Sequence, residues 1–327
     1  MKMLSRRSFA ALAQATGAAF LLPSATRGAM AQDRWPERVV RLVVPYPPGG
    51  STDLVARQYA DRLTSELGQT VLVDNRPGGG TNIGAGVVAN APPDGYTLLF
   101  ANNSQVLNPI FGPEPPFELG ALEPISVVSR LAFVLCANPD VPFKNARDML
   151  AAAKAAPGKF TVASAQLDLY IALLAREANI NLLHVPYKGG APAVTDAISG
   201  QVNMVFALVP VLQSHIRAGK LRPLAVTVGK RLDSMPDVPT LKELGVQYDI
   251  AAWYGLMAPA GTPKPVIDRL GAATHKVMGT PDMIEKIKAA GAEQSTSTPA
   301  QFQAELRRET AFWQKVAQEM PHLVKKS

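Results

Sequence analysis

The segment VVPYPPGGSTDLVARQYADRL, residues 43–63, joins an apolar strand to an amphipathic helix through a turn rich in proline and glycine. The prolines stiffen this turn, and the two glycines allow positive φ values and a close approach of the backbone to a ligand. Ser51, Thr52 or Asp53 can cap the helix that follows. The first N–H groups of a helix and the positive end of its dipole form an anion site without any charged side chain. The segment therefore indicates either an anion-binding loop or a capped turn that holds no ligand.

A second loop of the same kind, NRPGGGTN at residues 75–82, follows the strand-like run TVLVD. Three successive glycines can turn several N–H groups towards one point and form a nest for a carboxylate or phosphate. Arg76 either adds charge to this site or braces the loop through a salt bridge. Because ligands of open α/β sheets bind outside the carboxyl ends of the strands, we expect both loops at one edge of a sheet.

Short apolar runs rich in β-branched residues alternate with helix-like segments through most of the chain. This order is typical of α/β folds and predicts mainly parallel sheets. No linker is long enough to separate independent domains, so we expect the chain to pass between two lobes over a hinge, once out and once back. The predicted strands are RVVRLVVPY, TVLVDN, YTLLFAN, ISVVSRLAFVLCANP, KFTVASA, NLLHVPY, QVNMVFALV and RPLAVTV. The predicted helices include DLVARQYADRLTSEL, NARDMLAAAKAA and APAVTDAIS.

The N-terminus predicts an export signal. SRRSF at residues 5–9 is a twin-arginine pattern, the apolar run at 10–22 is too short and polar to span a bilayer, and Ala-Met-Ala at 29–31 is a cleavage site. We expect a twin-arginine signal peptide over residues 1–31, cut near Ala31, and a periplasmic mature protein; the alternative is an N-terminal membrane anchor. Removing the leader lowers the net charge from +7 to +3, which gives no support to a nucleic-acid or membrane-surface partner.

The residues that usually carry catalysis or metal binding form no recognisable pattern. Cys136 is the only cysteine and lies in the apolar run LAFVLCANP, which predicts a buried, inert thiol. The four histidines have no metal-ligand spacing. GAGVVA at 84–89 resembles a dinucleotide motif but follows its strand too late and lacks the later acid. We therefore expect no cofactor, no metal and no enzymatic activity. A periplasmic enzyme remains the alternative, since twin-arginine leaders also export folded oxidoreductases.

Several longer segments, spread in order over nearly the whole mature chain, together resemble one family, the Bug-type extracytoplasmic solute receptors of tripartite tricarboxylate transporters. The resemblance implies a type 2, two-lobed periplasmic-binding-protein fold that closes by hinge motion over a small carboxylate held by backbone amides, hydroxyls and waters. It implies that lobe one comprises 32–131 and 254–327 and that lobe two comprises 132–253, with crossings in RLAFVLC and near WYGLMAP. It also implies a monomer and a membrane permease as a partner. The matching segments are RLVVPYPPGGSTDLVARQYADRL, VLVDNRPGGGTNIGAGVVANAPPDGYTLLFA, LLHVPYKGGAPAVTDAISGQVNMVFA, IRAGKLRPLAVTVGKR, MPDVPTLKEL and WYGLMAPAGTPKPVIDRL.

The same resemblance assigns ligand-binding residues to both lobes. Asp53 serves either as a ligand contact or only as a helix cap, and Tyr187 either as a contact or as a cleft wall. The residues assigned in lobe one are Tyr46, Gly49, Gly50, Ser51, Thr52, Asp53, Gly78, Gly79, Thr81, Asn82 and Ser104. Those assigned in lobe two are Ser164, Tyr187, Gly189 and Ala207.

Lobe two departs from the family pattern. After KFTVASA the family usually has a loop of the form S-x-G-x-G-[ST] and then a histidine, whereas this chain reads SAQLDLYIALLARE. Gln166, Asp168 and Tyr170 are candidate replacements, although the charge of Asp168 would repel a carboxylate. Ala207 stands where the family often has an acid. We expect either an unusual ligand, aromatic or uncharged on one side, or a receptor that has lost ligand binding and acts through protein partners.

Overall fold

The computed structural model of the protein describes residues 35–324, apart from 113, 119, 166 and 290. The predicted signal peptide at residues 1–31 lies outside this range. Most described residues belong to one compact unit that begins at Arg38. Within the described range, no helix has the length and apolar character needed to cross a bilayer.

The first region of the sheet contains three parallel strands, β1 (Val40–Val44), β2 (Val71–Asn75) and β3 (Thr97–Asn102), in the order β2-β1-β3. The antiparallel strand β9 (Ala251–Pro259) lies beside β3. Each of the three parallel strands leads into a helix at the same edge of the sheet. These helices are α1 (Ser51–Leu67), α2 (Asn82–Ala89) and α3 (Ser104–Phe111).

The second region has the parallel strands β5 (Thr161–Ala165), β6 (Leu183–Tyr187) and β7 (Met204–Leu208), in the order β7-β5-β6. The strand β8 (Arg222–Val226) completes it. Helices again follow the parallel strands. The helices of this region are α4 (Ala146–Ala155), α5 (Asp168–Ala178), α6 (Gly190–Ser199) and α7 (Val209–Arg217).

One long strand, β4 (Leu122–Ala137), belongs to both regions. Its residues from Leu122 to Ala132 pair with β9, and those from Phe133 to Ala137 pair with β7. The short strand β10 (Ala292–Gln294) adds to its first part. Because β4 changes partners without a break, the chain passes from the first region to the second within this strand.

The C-terminal part of the chain returns to the first region through β9. It then forms α8 (Lys264–Met278), α9 (Pro281–Ala289) and the long helix α10 (Pro299–Glu319). A capping box begins α10, because the Thr298 side chain accepts from the Gln301 N–H and the Gln301 side chain accepts from the Thr298 N–H.

The hydrophobic core runs through the shared strand. Val43, Leu99 and Val127 of the first region belong to the same buried cluster as Phe133 and Phe206 of the second. Burying such side chains contributes about 1.5–3 kcal/mol each, so the passage between regions is well packed.

The structure confirms the eight predicted strands and the three predicted helices, with small differences at their ends. Cys136 is buried as expected, and burial raises the pKa of its thiol. The prediction of mainly parallel sheets was wrong, because β4 and β9 pair antiparallel with their neighbours. The strands β4 and β9 lie at the crossings between the regions and run antiparallel to the strands beside them. The local sequence pattern predicts a strand but not the direction in which it runs.

Candidate functional site

The first glycine loop leads from β1 into α1. Gly50 occupies the N-cap position of the helix in an extended conformation, with φ −79°, and Gly49 has φ +88°. The prediction that Ser51, Thr52 or Asp53 is the cap was wrong, since the helix already begins at Ser51 and its N-cap has no side-chain hydrogen bond. Both glycines are exposed, so the backbone of this loop faces outward.

Asp53 braces the loop from inside. Its carboxylate accepts from the Gly49 N–H at 2.9 Å, from Arg57 Nε at 2.9 Å and from Asn75 Nδ2 at 2.8 Å. Burial alone raises the pKa of Asp53, but the hydrogen bonds from Arg57, Gly49 and Asn75 outweigh it and lower the pKa to about 2. The negative charge of Asp53 therefore holds the first glycine loop in place, and its hydrogen bond from Asn75 connects this loop to the end of β2.

Thr52 connects the same loop to the returning strand. Its hydroxyl lies 3.0 Å from the Tyr254 hydroxyl, and both residues are buried. Tyr254 lies in β9 and packs its ring against Phe100 of β3, with the centroids 5.3 Å apart. The start of α1 is thus fixed to two strands of the first region.

The second glycine loop has unusual backbone geometry. Gly78, Gly79 and Gly80 have φ values of +119°, +57° and +62°, and Thr81 continues the run at +87°. A threonine in this region is strained, so its neighbours must hold it there. Before the glycines, Arg76 pairs with Asp74 at 3.0 Å, as the loop-bracing interpretation predicts.

A chain of hydrogen bonds joins the two loops to the end of β3. Asn102 donates to the Tyr46 hydroxyl at 2.5 Å, and its Oδ1 accepts from the Ser104 hydroxyl at 2.5 Å. The Ser104 hydroxyl lies 2.7 Å from that of Thr81. Asn108 Nδ2 then donates to Gly80 O, Thr81 Oγ1 and Asn82 Oδ1. We call this set the polar chain; its members are Tyr46, Thr81, Asn82, Asn102, Ser104 and Asn108.

The polar chain unites four residues that the sequence assigned to the site, namely Tyr46, Thr81, Asn82 and Ser104. It also contains two that sequence reasoning missed. Asn102 had a usable signal, because it is a polar residue that ends a strand at the same edge as Tyr46. Asn108 had none, since only the folded chain brings α3 against the glycine loop.

In the second region, the assigned hydroxyl groups are engaged within the protein. The buried Ser164 hydroxyl lies 2.8 Å from His184 Nε2. Tyr187 donates to Asp196 at 2.5 Å, and this hydrogen bond raises the pKa of Tyr187 to about 12. Burial lowers the pKa of His184, although the charge of Asp168 acts in the opposite direction. At neutral pH the Ser164–His184 pair is therefore neutral.

The other assigned residues of the second region offer backbone or apolar surface. Gly189 precedes α6 as its N-cap in extended backbone, with φ −165°. Ala207 is buried near the end of β7. Of the candidate replacements, Gln166 lies outside the described residues, and Asp168 is the exposed first residue of α5.

Tyr170, the third candidate replacement, lies in the interior. Its ring packs against Phe133, with centroids 5.0 Å apart, and against Trp313, with centroids 5.5 Å apart. Burial raises its pKa, and nearby Glu309 and Tyr46 add to the effect. Tyr170 therefore belongs to the buried core cluster and not to an exposed surface of the site.

Helix α10 contacts both strands that pass between the regions. Arg130 of β4 forms two hydrogen bonds of 2.5 Å with Glu305 of α10. One turn later, Glu309 accepts from Asn103 Nδ2 and from Trp253 Nε1 of β9, each at 2.7 Å. Burial raises the pKa of Glu309 in spite of these hydrogen bonds.

The end of α10 reaches the second region. There Glu319 pairs with Arg176 of α5 at 2.6 Å. Through Glu305, Glu309 and Glu319, the helix therefore contacts both crossing strands and the helix that follows Ser164 in the second region.

Residues 55–321 match the family model described as "Tripartite tricarboxylate transporter family receptor". The chain belongs to this family. The resemblance to Bug-type receptors is thereby confirmed: the periplasmic binding protein BugD is 33% identical, with a TM-score of 0.76 and 90% of this chain and 100% of that chain covered.

Two further solved receptors contain ligands. A protein from R. palustris with adipate is 32% identical, with a TM-score of 0.78 and coverage of 87% and 97% of the two chains. MatC from Rhodopseudomonas palustris with bound malate is 27% identical, with a TM-score of 0.73 and coverage of 86% and 99%. This receptor thus has the two-lobed α/β fold of periplasmic binding proteins, and the predicted fold class and solute-binding function are confirmed.

Proposed function

We propose that this receptor captures a small carboxylate in the cleft between its two regions and delivers it for uptake or sensing. The observation that carries the proposal is the pair of glycine loops at one edge of β1 and β2, joined by the polar chain. These loops expose glycine backbone, and the cation of the second loop, Arg76, is paired with Asp74. Relatives solved with adipate and malate support a carboxylate as the ligand.

Within this function, the assigned residues take two kinds of role. The N–H groups of Gly50 and Ser51, at the start of α1, receive the carboxylate. Gly49, whose own N–H donates to Asp53, sets the shape of this loop beside the ligand. Thr52 and Asp53 hold that loop in place. Gly78 and Gly79 give the second loop its shape, and Tyr46, Thr81, Asn82 and Ser104 supply hydroxyl and amide contacts. Tyr187 and Gly189 form the opposite wall, and the buried Ser164 and Ala207 lie behind it.

Closure of the cleft requires two bodies that move about the crossings. We assign lobe one to residues 32–131 and 254–327, and lobe two to residues 132–253. The change of partner along β4 supports this division, because Leu131 pairs with Ala292 of β10 whereas Phe133 pairs with Leu208 of β7. Helix α10 then limits how far the lobes separate.

Export and delivery complete the proposal. The leader at 1–31 directs the chain to the periplasm, where the monomeric receptor binds its ligand and meets a membrane permease in the closed form.

The first test is mass spectrometry of small molecules released by denaturing the purified receptor, followed by a thermal-shift screen of carboxylates. A ligand that binds only the native state at a hundredfold excess over its Kd stabilises it by about 2.7 kcal/mol. A released or stabilising carboxylate supports the proposal. If no mono-, di-, tricarboxylic or aromatic acid is released from the receptor or stabilises it, the proposal is contradicted. A receptor that acts through protein partners is then favoured.

A further inference from the structure

The second region places a carboxylate at the edge of the site. Strand β5 ends at Ala165, and α5 begins only three residues later with Asp168. Parallel strands β5, β6 and β7 end at the same edge, so Asp168 lies at the edge that also carries Gly189. Asp168 is exposed, and its charge acts on His184, the partner of Ser164.

The hydroxyl groups assigned to the ligand in this region already have partners within the protein. Ser164 is buried against His184, and the Tyr187 hydroxyl donates a hydrogen bond to Asp196. A ligand group that enters between these residues and Asp168 therefore meets a negative charge beside hydroxyls that already have partners.

One cation lies at the same edge. Lys188 follows β6 and is exposed. Among the described residues, no salt bridge joins Lys188 to Asp168, so Lys188 does not neutralise the charge of Asp168 through an ion pair. A ligand with two carboxylates would need Lys188 to outweigh Asp168, whereas a ligand with a neutral or cationic far end would not.

We propose that Asp168 determines ligand specificity by excluding a second carboxylate, so that the receptor takes a monocarboxylate whose far end is neutral or cationic. This inference rests on the proposed function, because it assumes that the first region anchors the ligand carboxylate. It separates this chain from the relatives solved with adipate and malate, both of which are dicarboxylates. The energetic reason is that like charges a few ångströms apart in a partly closed cleft repel each other more strongly than in water.

The test uses two matched ligand series with one end held constant. The six-carbon series is adipate, its monoamide adipamate and 6-aminohexanoate, and the four-carbon series is succinate, succinamate and 4-aminobutanoate. Affinities are measured by calorimetry for the wild type, for Asp168→Asn and for Asp140→Asn. Asp140 is a suitable control because it is exposed and follows the end of β4 that pairs with Met204, the start of β7, on the far side of the second region.

We expect the wild type to bind the monoamide or amino acid at least about tenfold more tightly than the dicarboxylate of the same length. Asp168→Asn should reduce this preference about tenfold, and Asp140→Asn should leave it unchanged. A preference for dicarboxylates that Asp168→Asn does not alter overturns the inference and leaves the proposed function intact. Absence of binding by every compound in both series overturns the inference, whereas the proposed function is decided by the broader screen that includes tricarboxylic and aromatic acids.

A second measurement does not depend on the ligand. Titration of His184 by NMR should give a lower pKa in Asp168→Asn than in the wild type, because the negative charge that favours protonation is removed. An unchanged His184 pKa would mean that Asp168 does not act on this part of the site, and it would overturn the inference.

Discussion

In the first region of the site, Tyr46, Asn102 and Ser104 bond to one another along an edge where Gly49 and Gly50 remain exposed. In the second region, the Ser164 hydroxyl bonds to His184 and the Tyr187 hydroxyl donates to Asp196. Hydroxyls in both halves have partners within the protein, but only in the first half do their hydrogen bonds connect the two glycine loops. A hydroxyl that the sequence assigns to a ligand can therefore already be hydrogen-bonded to another residue of the protein.

We expect the largest change in ligand affinity from a substitution of Gly50. A side chain there has room, since a Cβ would meet only Pro47 O at 4.0 Å, and the φ of −79° suits any residue. Gly50→Leu should fold normally but block the approach of a carboxylate, lowering affinity about a hundredfold or more. Calorimetry and circular dichroism check both parts, with the exposed Ala151→Leu of α4 as the control. Unchanged affinity would remove this loop from the site.

The next largest effect concerns the helix that joins the two regions. Glu309→Ala would leave the buried groups Asn103 Nδ2 and Trp253 Nε1 without their carboxylate acceptor. We expect a loss of about 2–3 kcal/mol in the free energy of unfolding, measured by urea denaturation. Lys315→Ala on the same helix is the control, because its pair with Glu319 at 3.8 Å is exposed and contributes little. Equal effects of both changes would contradict the role given to α10.

A matched pair of serine substitutions compares the two regions directly. Ser104→Ala removes a hydroxyl from the polar chain and should lower ligand affinity about tenfold. Ser164→Ala removes a hydroxyl bonded to His184 and should cost about 1 kcal/mol of stability while affinity changes less than about threefold. The reverse pattern in calorimetry and denaturation would show that the second region, and not the first, anchors the ligand.

A further effect is a pH dependence in the first region. Because the pKa of Asp53 is lowered to about 2, its ionised form contributes stability above the unfolded-state pKa of about 3.9, and this contribution is lost as pH falls towards 2. The stability difference between wild type and Asp53→Asn should therefore be constant above about pH 5 and shrink between about pH 4 and 2. A difference that stays constant down to pH 2 would mean that the hydrogen bonds to Asp53 do not depend on its charge.

Local patterns in the sequence predicted most of the fold. Apolar runs with flanking glycine and proline identified the eight strands, and glycine runs identified the loops at 49–50 and 78–80, where all but Gly50 adopt positive φ. The strands β9 and β10 were not predicted as such. Their position depends on pairing with β4, whose partner residues lie more than a hundred positions away.

The contacts of the site were less predictable than its location. Thr52 bonds to Tyr254, which is 202 residues away, and Thr81 bonds to Ser104, which is 23 residues away. Neither partner has a distinctive local pattern. The internal use of Ser164 and Tyr187 also depends on the positions of His184 and Asp196 in the folded chain, so the sequence alone identified the residues without their roles.

The most direct test of the anchoring role of the first region is NMR of the backbone amides during titration with a carboxylate that stabilises the receptor. If the first region anchors the carboxylate, we expect the largest chemical-shift changes at Gly49, Gly50, Gly79 and Gly80, with smaller changes at Gly189 and Gly190. Large changes confined to Gly189 and Gly190, with the two glycine loops of the first region unaffected, would contradict it.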